Sequence, residues 1–327
     1  MKTVPVGKRY VTSPVFGLST FGRFVATVGR RGRDRGVIEV AKLGSNDDPQ
    51  STWGSPLGLF IKWQQEHSTG VKAIAWGGDA LWIVGGDFDG RITLYNTDSS
   101  YSISSVQGTE AVIHQVVTKN APSPAVLSCC SSGGEIALWD IRQLKNATVS
   151  ITCSKKNDKP DCWSSSFDYS GNYVSGGYSD GYIRTFDLRK NSMVSEVLLG
   201  KGVCSVEYDK SNSLLATTLN GECHLYNNTG KTKRHDVLQS SDSTMWCAKQ
   251  SPTHPNLCAA SDQNGIMYFY NKKDKLKKLH EICLSPTNMP ITTFDWFADC
   301  PGLMVYTPMD QTIGLLALTN INGIKTI

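Results

Sequence analysis

The stretch that decides the fold is Gly133-Gly134-Glu135-Ile136-Ala137-Leu138-Trp139-Asp140, in which a small-residue turn leads into a short alternating run closed by an aromatic residue. The two glycines can supply the positive φ angles that a tight hairpin turn requires. The alternation that follows them is typical of a β-strand. The stretch therefore predicts the second arm of a β-hairpin.

Comparable stretches occur seven times along the chain. The copies cover residues 36–40, 89–96, 133–140, 180–187, 220–227, 264–271 and 310–316. Successive copies lie roughly 40 to 53 residues apart, which fits a four-stranded propeller blade and is longer than an ankyrin or leucine-rich unit. Seven such units predict an all-β fold, a seven-bladed β-propeller.

A second pattern precedes most of the hairpins and marks the innermost strand of each blade. It is clearest at Val71, Ile74 and Trp76, where apolar residues recur three and five positions after the first. The last copy is followed by too few residues for a fourth strand, so we expect residues 3–7 to supply the outer strand of the last blade. This closure removes the open sheet edges. We therefore expect residues 1–327 to form one domain, a propeller closed by an N-terminal strand.

Charge and cysteine content exclude few classes of function. The chain has 33 basic and 29 acidic residues and a formal net charge of +4, a balance that identifies neither a nucleic-acid nor a membrane partner. It shows no signal-peptide core and no apolar run of membrane-spanning length, so we expect a cytoplasmic protein. The ten cysteines form no Cys-x-x-Cys pair, and we expect buried free thiols in a reducing compartment.

Motifs that carry chemistry are missing from the sequence. The six histidines form no ligand-spaced pair, and no phosphate-binding loop, His-Glu-x-x-His or Gly-x-Ser-x-Gly motif occurs. We therefore predict that the protein is not an enzyme and has no catalytic residue, metal or cofactor. Two basic runs, 30–35 and 272–278, could bind phosphates. They lack interleaved aromatic residues, so we interpret them as solvated loops and do not expect nucleic-acid binding.

The repeats, with their closing Trp-Asp or aromatic-Asn pairs, resemble WD repeats. In WD-type blades a histidine just before the inner strand bonds the aspartate of the turn in the same blade. The resemblance implies that His67 bonds Asp89 in this way, since a buried polar group needs a partner. It also implies that Asp180 holds the equivalent turn of the fourth blade.

Two tryptophans occupy matched positions in this pattern. Trp163 and Trp246 each follow the first residue of an inner strand, which places them near the mouth of the central channel on the face that carries the hairpin turns. Tryptophan is enriched at binding hot spots, although packing between blades would also use it. We predict that both belong to a partner-binding surface, with Asp89 and Asp180 shaping the neighbouring turns.

Several phrases resemble one group of WD-repeat proteins, the Monad-type dynein axonemal assembly factors. They are Gly85-Gly86-Asp87-Phe88, Asp161-Cys162-Trp163, Phe186-Asp187-Leu188-Arg189, Gly202-Val203-Cys204-Ser205 and Asp310-Gln311-Thr312. The resemblance implies a monomeric cytoplasmic adaptor. It would link a co-chaperone complex of RuvB-like ATPases and prefoldin-like subunits to axonemal dynein chains before their transport into cilia.

Two other functions remain open on the residues alone. Trp139-Asp140-Ile141-Arg142 and Phe186-Asp187-Leu188-Arg189 resemble the WDxR boxes of substrate receptors for cullin-type ubiquitin ligases. The two basic runs would suit an RNA-binding propeller. The partners that co-purify with the protein distinguish these functions from one another.

Overall fold

The computed structural model describes residues 1–11, 13–32, 35–45, 57–77, 81–119, 126–152, 159–229, 232–239 and 242–319. For residues 126–129, 227–229, 232–234 and 239 it describes the backbone alone. These ranges contain 28 β-strands and one short 3-10 helix, Ile141–Gln143. The strands form seven four-stranded antiparallel sheets, which confirms the predicted all-β fold.

The seven sheets follow one another along the chain as seven blades. Strand β1 (Lys2–Tyr10) belongs to the last blade, and blade 1 contains β2 (Val15–Phe21), β3 (Phe24–Arg31), β4 (Arg35–Ser45) and β5 (Leu57–His67). Blade 2 contains β6 (Val71–Trp76), β7 (Trp82–Asp87), β8 (Arg91–Asn96) and β9 (Ser102–Gln107). Blade 3 contains β10 (Ile113–Thr118), β11 (Val126–Ser131), β12 (Glu135–Asp140) and β13 (Val149–Thr152).

The second half of the chain repeats the arrangement. Blade 4 contains β14 (Cys162–Phe167), β15 (Tyr173–Tyr178), β16 (Tyr182–Asp187) and β17 (Ser192–Leu198). Blade 5 contains β18 (Val203–Tyr208), β19 (Ser213–Thr218), β20 (Glu222–Thr229) and β21 (Thr232–Gln239). Blade 6 contains β22 (Met245–Gln250), β23 (Leu257–Asp262), β24 (Ile266–Asn271) and β25 (Lys277–Cys283), and blade 7 contains β26 (Ile291–Trp296), β27 (Leu303–Pro308) and β28 (Thr312–Thr319).

The N-terminal strand closes the ring. Strand β1 pairs antiparallel with β28, from Lys2 opposite Thr319 to Tyr10 opposite Thr312, and it becomes the fourth strand of blade 7. The innermost strands β2 and β26 also contact each other. The prediction that residues 3–7 supply this strand is confirmed, while the assignment of residues 1–327 to one domain stays a prediction.

The hydrophobic core lies between the blades. Seven clusters of buried side chains fill the seven gaps between neighbouring sheets. Trp139, the closing aromatic of the fullest repeat, is 2% exposed and packs with Ala73, Trp82 and Ile113 between blades 2 and 3. The repeat therefore encodes the packing of one blade against the next as well as a strand.

Most repeats place a glycine at this turn, and Gly90 shows two reasons for it. Gly90 has φ 81°, and a Cβ atom there would lie 2.1 Å from the carbonyl oxygen of Thr109. Gly181, Gly221 and Gly265 have similar φ angles of 87°, 81° and 74°. Left-handed backbone favours glycine, so the repeated glycine marks in the sequence where the turn between the second and third strands lies.

The antiparallel order gives the ring two distinct faces. The upper face carries the turns between the second and third strands, such as the turn after Asp87, and the loops between blades. The lower face carries the turns after the first strands and the loops after the third strands. Both ends of the central channel are thus framed by loops of different sequence.

A chain of charged and polar contacts joins blades 5, 6, 7 and 1 near the channel. Lys249 Nζ donates to Asp295 Oδ1 at 2.9 Å, and the backbone nitrogen of Thr20 donates to Asp295 Oδ2 at 2.8 Å. Glu207 Oε2 accepts from the backbone nitrogen of Gln250 at 2.6 Å. Burial raises the pKa of Glu207 to about 7, because its charged form is poorly solvated.

This raised pKa predicts that stability falls as pH increases. Between about pH 4.5, the ordinary pKa, and pH 7 the folded state keeps a proton on Glu207 that the unfolded chain has lost, so the stabilising contribution disappears over that window. We expect Glu207→Gln to be roughly 1–3 kcal/mol more stable than wild type at pH 8 and equal to it at pH 4. Urea unfolding at both pH values measures this, with the exposed Glu110→Gln as control. A Glu207→Gln effect that is the same at both pH values contradicts the prediction.

Candidate functional site

Each innermost strand contains a β-bulge after its first residue. In blade 2, for example, Val71 pairs with Asp87 and Ala73 pairs with Gly86, which leaves Lys72 unpaired between them. The same shift occurs in the other six blades. Bulges bend a strand and redirect a side chain. The seven unpaired residues, which we call the bulge ring, are Phe16, Lys72, His114, Trp163, Cys204, Trp246 and Thr292.

The bulge ring lies at the mouth of the channel on the upper face. All seven residues are half-buried, although the residue before each of them is buried. Their strands are the innermost strands of the blades, and the bulges adjoin the turns of the upper face. The ring therefore presents one partly accessible side chain from every blade to this end of the channel.

The structure places Trp163 across the gap between blades 4 and 5. A Cβ atom on Gly202, just before β18, would lie 2.6 Å from Trp163 Cζ3 and 3.0 Å from its Cη2. The indole thus covers a glycine that has no room for a side chain. Part of Trp163 supports the packing of two blades, and the remainder is accessible at the rim.

Trp246 is held by a hydrogen bond within its own blade. Its Nε1 donates to Gln263 Oε1 at 2.7 Å, and Gln263 follows the last residue of β23. The bond satisfies the polar edge of the indole and fixes its orientation. Trp246 shares the rim with Trp163, but blade 5 with Cys204 lies between them, and no ring contact joins the two among the described residues.

Asp89 is not the residue that holds its turn, although its place in a partner-binding surface stays a prediction. Its side chain is exposed, and the hydrogen bond predicted from His67 is absent from the described contacts, since His67 Nδ1 lies 3.2 Å from the carbonyl oxygen of Thr69. The turn is held instead by Asp87, which is 2% exposed and whose Oδ1 accepts from the backbone nitrogens of Asp89 at 3.0 Å and Arg91 at 2.7 Å. The expectation chose the wrong aspartate because both precede Gly90.

Asp180 belongs to an ion cluster around a buried arginine. Its two carboxylate oxygens accept from the guanidinium of Arg184 at 3.0 and 2.7 Å, and Arg184 Nε donates to Glu196 at 2.8 Å. The Arg184 side chain is 0% exposed and lies between the rings of Tyr178 and Tyr182. Asp180 shapes its turn by anchoring this arginine, since its Oδ1 also accepts from the backbone nitrogen of Tyr182 at 3.3 Å.

Sequence reasoning missed the part of the rim formed by blades 1 to 3. Phe16 and Phe88 meet edge to face with their ring centres 5.6 Å apart, and Lys72 Nζ lies 5.8 Å from the centre of the Phe88 ring. His114 Nε2 lies 2.8 Å from Ser132 Oγ. The sequence did contain a signal for Phe16, Lys72 and His114, because each follows the first residue of an inner strand, as Trp163 and Trp246 do.

The electrostatics of the rim suit binding better than catalysis. Burial and the nearby Lys72 charge lower the pKa of His114 to about 4, so its imidazole is neutral at physiological pH. Burial raises the pKa of Cys204 to about 12, which keeps the thiol protonated and a poor nucleophile. Burial also lowers the pKa of Lys72. The rim offers apolar and aromatic surface with one cation.

Metal ligands do not converge in the described part of the chain. No group of three or more histidine, cysteine or acidic side chains there could hold a metal ion. Eight cysteines are free thiols, and Cys283 alone of these is exposed; the side chain of Cys129 and all of Cys153 lie outside the description. No helix in the described ranges is long and apolar enough to cross a membrane. The absence of a metal and a cofactor stays a prediction.

The repeats, the blades and the ring closure define a seven-bladed β-propeller. The family described as WD domain, G-beta repeat matches residues 58–96, which hold the last strand of blade 1 and the first three strands of blade 2.

Relatives that match about nine-tenths of this chain share one name. Dynein axonemal assembly factor 10 of Homo sapiens is 25% identical over 339 residues, which cover 91% of this chain and 90% of the relative. The protein of that name from Xenopus tropicalis is 25% identical, with 90% and 89% covered. The one from Chlamydomonas reinhardtii is 23% identical, with 91% and 90% covered. These comparisons confirm the resemblance to WD-repeat dynein axonemal assembly factors.

Proposed function

We propose that this protein is a non-catalytic adaptor in the cytoplasmic assembly of axonemal dynein. The observation that supports the proposal most is the similarity to dynein axonemal assembly factor 10 over about nine-tenths of both chains, in organisms as different as Homo sapiens and Chlamydomonas reinhardtii. A local WD match alone would fit many propellers. Similarity over so much of the chain includes loops as well as strands, and loops are where propellers commonly carry function.

The adaptor acts as a monomer that holds a co-chaperone complex of RuvB-like ATPases and prefoldin-like subunits next to dynein chains. A rigid ring can present different loops to different partners without performing chemistry itself. In this proposal the bulge ring is the partner-binding surface, with Trp163 and Trp246 as its anchors. Partly accessible tryptophans held by Gly202 and Gln263 need little reordering to bind, which lowers the entropic cost.

The two alternative functions receive weaker support. In each WDxR box the arginine pairs with the aspartate of the same box, at 2.6 Å for Arg142 and 3.5 Å for Arg189. A contact within the protein therefore explains these arginines without a ligase partner. Of the basic runs, Arg31 and Arg35 pair with Glu66, while Arg33 and Asp34 lie outside the described residues.

The second basic run differs from a fully solvated loop at its first residue. Lys272 is 8% exposed and pairs with Asp209 of blade 5 at 2.6 Å, so it joins two blades. Lys277 and Lys278 pair with Asp274 and Glu281. Only part of the run is therefore available to a phosphate backbone, which disfavours the RNA-binding alternative.

Affinity purification from the cells that express the protein tests the proposed function. Dynein chains together with RuvB-like and prefoldin-like subunits support it. Recovery of a cullin adaptor without these chains favours the ligase alternative. Recovery of RNA that stays bound in high salt favours the RNA-binding alternative. Either of the last two outcomes overturns the proposal.

A further inference from the structure

The lower face of blades 3, 4 and 5 carries a concentration of positive charge. The residues lie in the turns after the first strands and the loops after the third strands, the two sets of connections on that face. We call the group the basic sector, and its members are Lys119, Arg142, Lys145, Arg189, Lys190 and Lys210. All but Lys119 are exposed.

Contacts between the blades make the basic sector one surface. Lys119 of blade 3 lies along Gly171 in the first turn of blade 4, with its Nζ 3.5 Å from the Gly171 carbonyl oxygen. The backbone nitrogen of Tyr169 in that turn donates to Asn212 Oδ1 of blade 5 at 2.8 Å. The loops of the three blades therefore keep a fixed spacing.

The carboxylates in the lower-face loops of blades 3, 4 and 5 are already engaged in the described part of the chain. Asp140 and Asp187 pair with the arginine of their own motif. Asp168 is 8% exposed and accepts from the backbone nitrogen of Tyr173 at 2.8 Å, and Asp209 pairs with Lys272.

Three ammonium groups of the sector remain available. Lys145, Lys190 and Lys210 are exposed and have no ion-pair partner in the part of the chain that the structure describes. An exposed lysine without a partner is fully hydrated and ready to meet an incoming anion at little cost.

The opposite face has the other sign. The turns of the upper face carry aspartates in blades 2, 4, 6 and 7, and these residues are Asp87, Asp89, Asp180, Asp262 and Asp310. The turn of blade 1 is an exception, since it carries Arg31 and Arg35, which pair with Glu66. The acidic turns of the other blades are thus separated from the basic sector on the lower face. Such a separation steers an anionic partner toward the lower face and away from the upper one.

We propose that the basic sector binds an acidic peptide segment of a protein partner. Asp and Glu side chains would pair with the three available lysines and share the two arginines. Single-stranded RNA would need several aromatic platforms for its bases, and Tyr169, at 69% exposed, is the one exposed aromatic residue among the described residues of these loops. The surface is distinct from the bulge ring and gives the protein a second binding face.

Binding of a fluorescently labelled glutamate-rich peptide to the full chain tests this inference. In the double variant Lys190→Glu/Lys210→Glu we expect the Kd, measured by fluorescence anisotropy, to rise roughly tenfold or more. The difference should shrink in high salt because exposed charges are screened. The control is Lys159→Glu/Lys201→Glu, which makes the same change in formal charge at two exposed residues of the upper face, in the loops between blades 3 and 4 and between blades 4 and 5. It should bind like wild type.

Three results overturn the inference. They are a wild-type protein that does not bind the peptide, an equal loss in both double variants, and tighter binding of single-stranded RNA that Lys190→Glu/Lys210→Glu abolishes. The outcome is independent of the proposed function, because Trp163→Ala leaves the lower face unchanged and should not alter peptide binding.

Discussion

Removal of residues 1–10 is expected to lower the melting temperature by roughly 10 °C or more, because it opens the ring. Strand β1 supplies a whole ladder to β28, together with the bond from Lys8 Nζ to the Leu284 carbonyl oxygen at 2.6 Å and the ion pair of Arg9 with Glu39. Each lost hydrogen bond costs about 1 kcal/mol, and a large domain loses about 2–4 °C per kcal/mol. Thermal unfolding followed by circular dichroism measures the change.

The control for this deletion is Tyr10→Ala. Tyr10 is 85% exposed, so its truncation should leave the melting curve unchanged while the strand remains. The deletion also leaves β28 as an open edge, so we expect aggregation on unfolding. A deletion variant that melts at the wild-type temperature contradicts ring closure by β1.

Replacement of Arg184 by alanine is expected to destabilise the fold by about 3 kcal/mol. Arg184 is fully buried, bonds Asp180 and Glu196, and lies between two tyrosine rings. Truncation removes a large, fully buried side chain and leaves a cavity between the rings. The bonds to the partly exposed carboxylates of Asp180 and Glu196 and the cation–π contacts are lost as well. Urea unfolding of the purified variant measures the difference.

Arg142→Ala is the matched control for Arg184→Ala. Arg142 also contacts an aspartate through two nitrogens, at 3.0 and 2.6 Å, but its side chain is 62% exposed. An exposed pair of this kind adds little stability, so its removal should fall within experimental error. Equal effects of the two substitutions on the free energy of unfolding would show that the burial of Arg184 does not determine how much it stabilises the fold.

The fold could be predicted from the sequence because its signals are local. The turn glycine and the alternation around Trp139 belong to one short segment, and repetition of that segment specifies the blades. Ring closure was also predictable, since seven copies need a fourth strand for the last blade and residues 3–7 were the segment available.

The candidate site was only partly predictable. A bulge depends on how a strand pairs with its neighbour, which no short segment encodes, so the interpretation reached the two conspicuous tryptophans and missed Phe16, Lys72 and His114. Likewise, no short segment shows that Asp87 is buried and Asp89 exposed, so the sequence did not indicate which of the two holds the turn. Lys272 looked like part of a charged loop because its partner, Asp209, lies in another blade.

The central claim is that the bulge ring binds the partners of a dynein assembly adaptor. Co-purification of dynein and co-chaperone subunits with Trp163→Ala/Trp246→Ala, compared with Tyr101→Ala, tests it most directly. Tyr101 is 73% exposed on the lower face of blade 2, so it controls for the loss of an exposed aromatic residue. A desolvated tryptophan anchor contributes about 2 kcal/mol or more to binding. We therefore predict that the double variant loses most of its partners although it still melts as a folded protein. Tyr101→Ala should keep its partners. Full recovery of partners by a folded Trp163→Ala/Trp246→Ala protein would contradict the account.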